Sequence, residues 1–462
     1  MATPRASVSR HGGDVALLVA AAIAAATSYS TIYTDLNITV IVVGCAVLAG
    51  LTALRLAPRL PLRVSLCLAL LIGLVPQVWW PPSGNVELGR LFRLATGLGM
   101  LASVLLVAGA LAAGRRWLLG VLALVTAAAA GILVIQSSGH PAIDVWVILQ
   151  QSARAVLHGS NPYELHFSGV PAGQTDNCFN YLPFSFLGSI PGWALLGDVR
   201  YSELAFLLAG ATMLAWALRR AEAGCALARG ALAGGAPFGL LLVVMAVSMP
   251  GTLRVAQQSW NEGMILGCLL AAVALLLLGR AWLAVVPLAL ALATKQHVAL
   301  ILPLWALWPR FGWRRALAAG GLAAGICLPW LLANPGRFYG CTVRFFLDLP
   351  ARQDSLSVWK FLPHPVRAAA VLALAAGAYL LAHRFLDRSA ASLAFGCGLV
   401  FVAFDLANKQ SFENQWLLAC QLLVVGLACR AVERAGEDRL DGADLAPAQT
   451  NLPLRHEGAD IP

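Results

Sequence analysis

The chain of 462 residues is 59% hydrophobic and only 12% charged, against about 25% charged in soluble globular domains. So much apolar side chain exceeds the need of one soluble core and suits a surface facing lipid. The net charge of +10 does not point to nucleic acid, because the basic residues fall mostly in short gaps between apolar segments, the positive-inside pattern of membrane proteins.

In chain order, Arg5 and Arg10 precede an apolar run from Val15 to Ala26, read as an uncleaved anchor. Apolar segments follow at 14–34, 38–56, 64–80, 94–113 and 117–136, each at or near the roughly 20 residues a spanning helix needs. Arg55, Arg59 and Arg63 fall in the second gap, and Arg115 with Arg116 in the fourth. This alternation puts the residues after 136 on the side opposite the arginines.

The stretch 137–199 is a large outer loop. Asp144 to Leu157 reads as an amphipathic helix lying in the interface plane, with Val145, Ile148, Leu149 and Val156 on its apolar side. Asn161-Pro162-Tyr163 and a polar loop follow, and Tyr181 to Leu196 is read as a second juxtamembrane helix.

Further spans are expected at 200–218, 237–250, 262–279, 281–294, 297–309, 316–333, 367–382, 390–406 and 414–430. The arginines Arg219, Arg220, Arg229, Arg280, Arg310, Arg314, Arg315, Arg384, Arg388 and Arg430 then all land on the inner side. The expected fold is an all-α polytopic membrane protein of about fourteen transmembrane helices. Residues 1–116 form an N-terminal module, 117–432 the main module, and 433–462 a disordered cytoplasmic tail.

Between Arg280 and Arg310 the chain goes out and returns, and each arm is only about 20 Å of helix. The hydrocarbon core is roughly 30 Å thick. The tip, Thr294-Lys295-Gln296-His297, therefore ends inside the membrane, in a cavity lined by protein. A cation at that depth is a functional hypothesis. The competing reading is one tilted helix with a paired, buried lysine.

Lys295, Lys360 and Lys409 are the lysines of the chain, and all three fall on the outer face. A GC-rich bacterial genome accounts for the bias toward arginine. The ten cysteines form no CxxC pair and no zinc spacing. Cys178 and Cys341 fall in outer loops, where an oxidising exterior would let them pair.

Polar residues converge on that face: Asp144, Arg254 to Glu262, the tip at Lys295, Arg352-Gln353-Asp354-Ser355, and Asn408-Lys409-Gln410 with Glu413. Asp144 is either a helix N-cap or a general base at the membrane surface. Lys295, Arg352 and Lys409 are candidates for a phosphate. His297 is more often a packed histidine than a ligand, and no second histidine stands at metal-binding spacing. No resident cofactor is predicted, with a divalent cation left open.

The ordered set resembles the bacterial membrane glycosyltransferases of the C-type fold, particularly family 87, which use polyprenol-phosphate-mannose. It comprises Asp144, Ala153, Ala155, Leu157, Gly159 and Asn161-Pro162-Tyr163, then Tyr181-Leu182-Pro183, the Gln258 to Asn261 region, and Lys295-Gln296 within Ala291 to Pro303. Asp354-Ser355-Leu356-Ser357 and Asn408-Lys409-Gln410 complete it. The resemblance spans about 137 to 430. It departs where the family often has Gly-Gln-x-Asn and this chain has Gln257-Gln258-Ser259-Trp260-Asn261. Asp144 also follows about five spans rather than one.

The resemblance implies an inverting transfer of mannose or a related sugar from a polyprenyl-phosphate donor to a hydroxyl of a glycolipid or glycan acceptor. Asp144 would be the base. Lys295, Arg352 and Lys409 would hold the donor phosphate, and Gln258, Asn261, Gln296, His297, Asp354 and Gln410 would contact substrate. The expected location is the bacterial cytoplasmic membrane, with the site extracytoplasmic, partners among membrane lipids and no nucleic acid. The alternatives are a transporter or lipid flippase, and a noncatalytic scaffold.

Single cysteines placed at 165–175 are expected to react with an impermeant maleimide added outside intact cells. Reaction only after the inner face is opened overturns this topology.

Overall fold

The computed structural model describes residues 13–28, 35–54, 62–79, 89–141, 143–171, 177–227, 238–249, 251–352, 354–385 and 388–444. Among them every regular element is helical. The first five helices, α1 (Gly13–Ser28), α2 (Asp35–Leu54), α3 (Leu62–Trp79), α4 (Arg90–Leu111) and α5 (Arg116–Ser137), fall on the five expected apolar segments. The stretch 137–199, the expected outer loop, holds α6 (Asp144–Leu157), α7 (Phe184–Leu187) and α8 (Ile190–Leu196).

Then come α9 (Arg200–Leu227), α10 (Phe238–Val247), α11 (Thr252–Gln258), α12 (Glu262–Leu277) and α13 (Val285–Leu292). They are followed by α14 (Leu302–Leu307), α15 (Trp313–Ala333), α16 (Pro335–Tyr339) and α17 (Phe345–Asp348). The chain closes with α18 (Arg367–Phe385), α19 (Ala390–Ala407) and α20 (Glu413–Asp444).

The architecture is that of a multi-pass helical membrane protein. Among the described residues six helices are long and apolar enough to cross a bilayer: α4, α5, α9, α15, α19 and α20. A seventh arises if α10 and α11, bent by 41°, form one span. The peripheral helices turn leucine and valine outward, as at Leu101, Val104, Val125, Leu317 and Leu372. By contrast α10, α12 and α19 are buried almost throughout, and α20 packs against α1, α10, α12 and α19 at the centre.

The first four helices share this core, since Leu17, Ile41, Leu66 and Leu106 belong to the same cluster as Leu266 and Leu417. At the α9–α12 crossing the backbones touch. A Cβ on Gly210 would lie 2.1 Å from the Gly267 carbonyl oxygen, and one on Gly267 would lie 2.2 Å from that of Phe206. Glycine is required on both sides of such a contact.

The two ends of the bundle differ. At one end arginines stack on aromatic rings: Arg116 on Phe238 at 4.1 Å, Arg219 on Trp117 at 4.4 Å and Arg315 on Trp282 at 5.1 Å. Cation–π pairs of this kind suit the membrane interface. The other end carries the outer loop, which has its own core of Tyr163, Phe179, Phe186 and Phe338 beneath α6. The Tyr163 hydroxyl donates to the Tyr181 carbonyl at 2.8 Å.

Two expectations change here. The single juxtamembrane helix expected over Tyr181 to Leu196 is two short helices, α7 and α8, because Gly188 and Ser189 intervene and Pro191 starts the second. The tail expected to be disordered from 433 continues α20 to Asp444, and residues 445–462 lie outside the described residues.

Cys178 and Cys341 form a disulfide, with Cα atoms 5.3 Å apart and a sequence separation of 163. Cys341 sits in a π-turn, Gly340–Arg344, so the bond fastens the outer loop to the segment after α15. Replacing both cysteines with serine is expected to lower stability by roughly 2–4 kcal/mol, read as a fall in Tm. An unchanged Tm would show that the crosslink holds nothing together.

Candidate functional site

The site is built at the loop-bearing end, where five chain segments meet. Its floor is an ion pair. Lys295 Nζ lies 2.6 Å from Glu262 Oε1, with the two side chains 12% and 1% exposed. Glu262 is the first residue of α12, directly after Asn261. Lys295 stands in extended backbone between α13 and a 3-10 turn, Gln296–Ile301. With eight residues, α13 rises only about 12 Å, so the tip stays inside the bundle. Backbone bonds from Leu182 N to the Thr294 oxygen at 3.1 Å and from Phe184 N to the Ala293 oxygen at 2.9 Å hold it there.

The outer loop roofs this pair. The Lys295 ammonium lies 5.4 Å from the centre of the Tyr181 ring. Burial pushes the Tyr181 hydroxyl well above the usual phenol range, and the nearby carboxylates of Asp144, Glu262 and Glu203 push it further. The phenol therefore stays neutral. Asp144 is the first helical residue of α6, and Ile143 takes the N-cap position. The carboxylate is thus not the N-cap, and its Oδ1 accepts from Val145 N at 2.8 Å.

Gln296 ties the floor to the roof, donating from Nε2 to the Asn180 oxygen at 2.9 Å and the Thr342 oxygen at 3.0 Å. Its amide hydrogens are thereby committed to backbone, which makes it a brace. His297 packs against two rings of α19, 5.4 Å from Phe401 and stacked 6.0 Å from Phe404, as a packed histidine rather than a ligand. Asn261 is 1% exposed and its amide has no hydrogen-bond partner among the described residues. Gln258, half-buried, reaches only Gln257 Oε1 at 3.4 Å.

The remaining candidates form a rim of their own. Arg352 makes a salt bridge to Asp354 at 2.5 Å, both about half exposed, and its guanidinium lies 4.9 Å from the Phe412 ring centre. Arg352 N donates to the Lys409 oxygen at 3.4 Å. Lys409 Nζ donates to the Leu347 oxygen at 2.9 Å, and Gln410 Nε2 to the Pro350 oxygen at 2.7 Å. Burial lowers the Lys409 ammonium, with Asp348 acting against that shift. Gln353 and the side chain of Lys360 lie outside the described residues.

Sequence reasoning missed two buried acids at this end, Glu203 and Asp405, which are 2% and 1% exposed, as buried as the expected Glu413 at 3%. Glu413 pairs with Arg254 at 2.7 Å, Glu203 accepts from Ser259 Oγ at 2.8 Å, and Asp405 lies within electrostatic reach of Glu262 and Lys295. The signal was present: an acid within an apolar span calls for a reason as much as a lysine does. Ser259 adopts φ 57°, a left-handed backbone that costs a residue other than glycine about 1–3 kcal/mol, and it does so at the turn into Asn261. Arg200 was also missed. Its guanidinium bonds Asp198, Ser138 Oγ and the Gln257 oxygen, joining α5, α9 and α11.

No group of three or more His, Cys, Asp or Glu side chains is placed to hold a metal ion among the described residues. The chain matches no protein-family model, and neither a curated protein nor a solved structure is significantly similar to it.

The ion pair changes what substitution at the tip should do. Removing one partner of a buried pair leaves an uncompensated charge, at a cost of about 3–5 kcal/mol. Lys295→Met should therefore destabilise the protein by that order, and Glu262→Gln likewise. The double substitution should recover most of the loss, measured as Tm in detergent. Additive losses would mean that the pair is not coupled.

Proposed function

We propose that the chain is a glycosyltransferase that moves a sugar from a polyprenyl-phosphate donor to a hydroxyl acceptor at the extracytoplasmic face of a bacterial cytoplasmic membrane. The observation that carries this reading is the buried Glu262–Lys295 pair, roofed by Tyr181 from a loop that also carries Asp144 and is braced by a disulfide. A disulfide at that end accords with an oxidising exterior, and the arginine–aromatic belt at the other accords with a cytoplasmic face. About fourteen spans belong to the same proposal.

In this reading the acceptor hydroxyl gives its proton to the Asp144 carboxylate while its oxygen bonds the anomeric carbon. The bond from that carbon to the phosphate oxygen breaks on the opposite face, so configuration inverts and polyprenyl phosphate leaves. An ammonium has three N–H donors, and Lys295 gives one to Glu262. The others serve the phosphate, with Arg352 and Lys409 at the rim. Asn261, with its uncommitted amide, and Gln258 suit the sugar. Asp354, Gln410, Gln296 and His297 act by holding the rim and floor.

A transporter or flippase is the second reading. The bent α10–α11 pair and the hairpin that stops inside the bundle favour it, since transporters place interrupted helices near the midplane.

Purified protein in lipid, offered a panel of polyprenyl-phosphate sugars, should consume a donor and form a glycosylated product. Asp144→Asn keeps the side chain's size and loses the base, so transfer should fall by about 10²- to 10⁴-fold with donor binding and expression retained. Substantial transfer by the Asn variant would remove Asp144 from the base role. Movement of the lipid across the bilayer without product would favour the flippase.

A further inference from the structure

At the arginine-bearing end, two turns stand side by side without an acid. One, before α13, carries Arg280 and Trp282. The other leads into α15, with Arg310 in the turn and Trp313, Arg314 and Arg315 as the first helical residues. Arg315 joins the two, its guanidinium 5.1 Å from the Trp282 ring centre. No carboxylate side chain occurs in sequence between Glu262 and Asp348. None of the four arginines makes a salt bridge among the described residues. The turn before α19 is linked to them, since Trp308 Nε1 donates to the Ser389 oxygen at 2.8 Å. Its Arg384, Asp387 and Arg388 add one more positive charge in sequence, and Asp387 lies outside the described residues.

Like charges gathered in adjacent turns repel one another, and the way these arginines are held leaves their donors open. Arg314 lies 5.5 Å from the Trp313 ring centre, as Arg315 lies over Trp282. A guanidinium on an aromatic face keeps its N–H groups in its own plane, open to oxygen acceptors. Of the five donors of a guanidinium, Arg315 spends one, from Nη1 to the Phe311 oxygen at 2.5 Å. Its buried Nε has no partner among the described residues. Arg280, Arg310 and Arg314 are exposed.

The surroundings select the partner. Trp313 begins α15, a helix long and apolar enough to cross a bilayer, so these arginines stand at headgroup level, where tryptophan rings settle. Trp282, Leu283, Trp313 and Leu317 are each more than half exposed, an apolar flank directly beside the cations. A phosphodiester offers oxygens in several directions, so more than one guanidinium can bond it at once. A zwitterionic head brings a cation of its own to a surface that already holds four. A soluble anion leaves the flanking tryptophans and leucines uncovered.

We propose that this surface binds an anionic phospholipid, its phosphodiester among Arg280, Arg310, Arg314 and Arg315 and its acyl chains along Leu283 and Leu317. The site lies at the end of the bundle opposite that assigned to glycosyl transfer and does not depend on that assignment.

The test uses the delipidated full chain in a nonionic detergent, titrated with phosphatidylglycerol and phosphatidylcholine of the same acyl chains and read by native mass spectrometry. Each arginine at a membrane surface strengthens binding of an anionic head by about fivefold, so phosphatidylglycerol should bind at least about tenfold more tightly. Arg280→Gln combined with Arg314→Gln, both at exposed positions, should remove at least about tenfold of phosphatidylglycerol affinity. Arg344→Gln, in the segment after α15 and paired with Asp348, should leave it unchanged, and glycerophosphate in solution should not compete. If the double variant fails to fold, labelling of the unaltered protein by a diazirine-bearing phosphatidylglycerol decides, with the label expected on peptides covering 280–286 and 313–320. Equal affinity for the two lipids, undiminished affinity in a folded double variant, displacement by glycerophosphate, or labelling confined to other helices would each overturn the proposal.

Discussion

A lysine cannot stay charged inside an apolar bundle unless something answers its charge, and in this protein Glu262 does so at 2.6 Å. Much of the loop-bearing end is arranged around that contact. The α12 helix begins where it does so that its first residue faces the tip of the α13 hairpin. The hairpin is cut short so that Lys295 arrives at the same level. The outer loop then closes over both through backbone bonds to Thr294 and Ala293. Desolvation costs several kcal/mol per ion, so such a pair is weak evidence of stabilisation. Its value lies in fixing one arrangement of α12, α13 and the loop among those an apolar interior would tolerate.

That arrangement needs a rigid frame, and the frame is supplied by different physics at different levels. Deep in the bundle, Gly210 and Gly267 let α9 and α12 meet backbone to backbone, which sets where α12 begins relative to Arg200. At the loop, an aromatic core of Tyr163, Phe179, Phe186 and Phe338 does the work of burial, and the Cys178–Cys341 bond joins that core to the end of α15. Gln296 spans the two, since its amide reaches both Asn180 and Thr342, neighbours of those cysteines and of Tyr181. The tip is thus held from the loop side by covalent and hydrogen-bonded links that do not rely on the membrane.

Much of this frame is legible in the amino-acid sequence. Apolar runs place the first five helices within a few residues, because lipid-facing and buried positions are both apolar and the run length reports the crossing. Arginine positions mark one end, because the cost of moving a guanidinium through lipid makes their alternation informative. The shortness of the arms around Lys295 puts the tip inside. Partnership is not legible. Nothing in the spacing of 33 residues between Glu262 and Lys295 announces a contact, since pairing across helices depends on three-dimensional register. The same holds for Glu203 with Ser259 and Arg254 with Glu413. The break between α7 and α8 is readable from Gly188 and Pro191, and the extension of α20 past 433 is hidden by the polarity of its sequence.

Charge accounting orders the cations of the site. With Glu262 balanced by Lys295, the floor brings no net positive charge to an arriving phosphate, only the ammonium N–H groups not given to Glu262. The rim differs. The Arg352–Asp354 pair is about half exposed, and exposed pairs are worth only about 0–1 kcal/mol, so Arg352 exchanges its partner at little cost. Lys409 holds a single backbone carbonyl, which an anion readily replaces. Under the proposed function a phosphate would draw its charge compensation from Arg352 and Lys409 and its position from Lys295. In the proposed reading the exposed rim cations exchange partners while the buried pair stays fixed, a division that follows from their exposure.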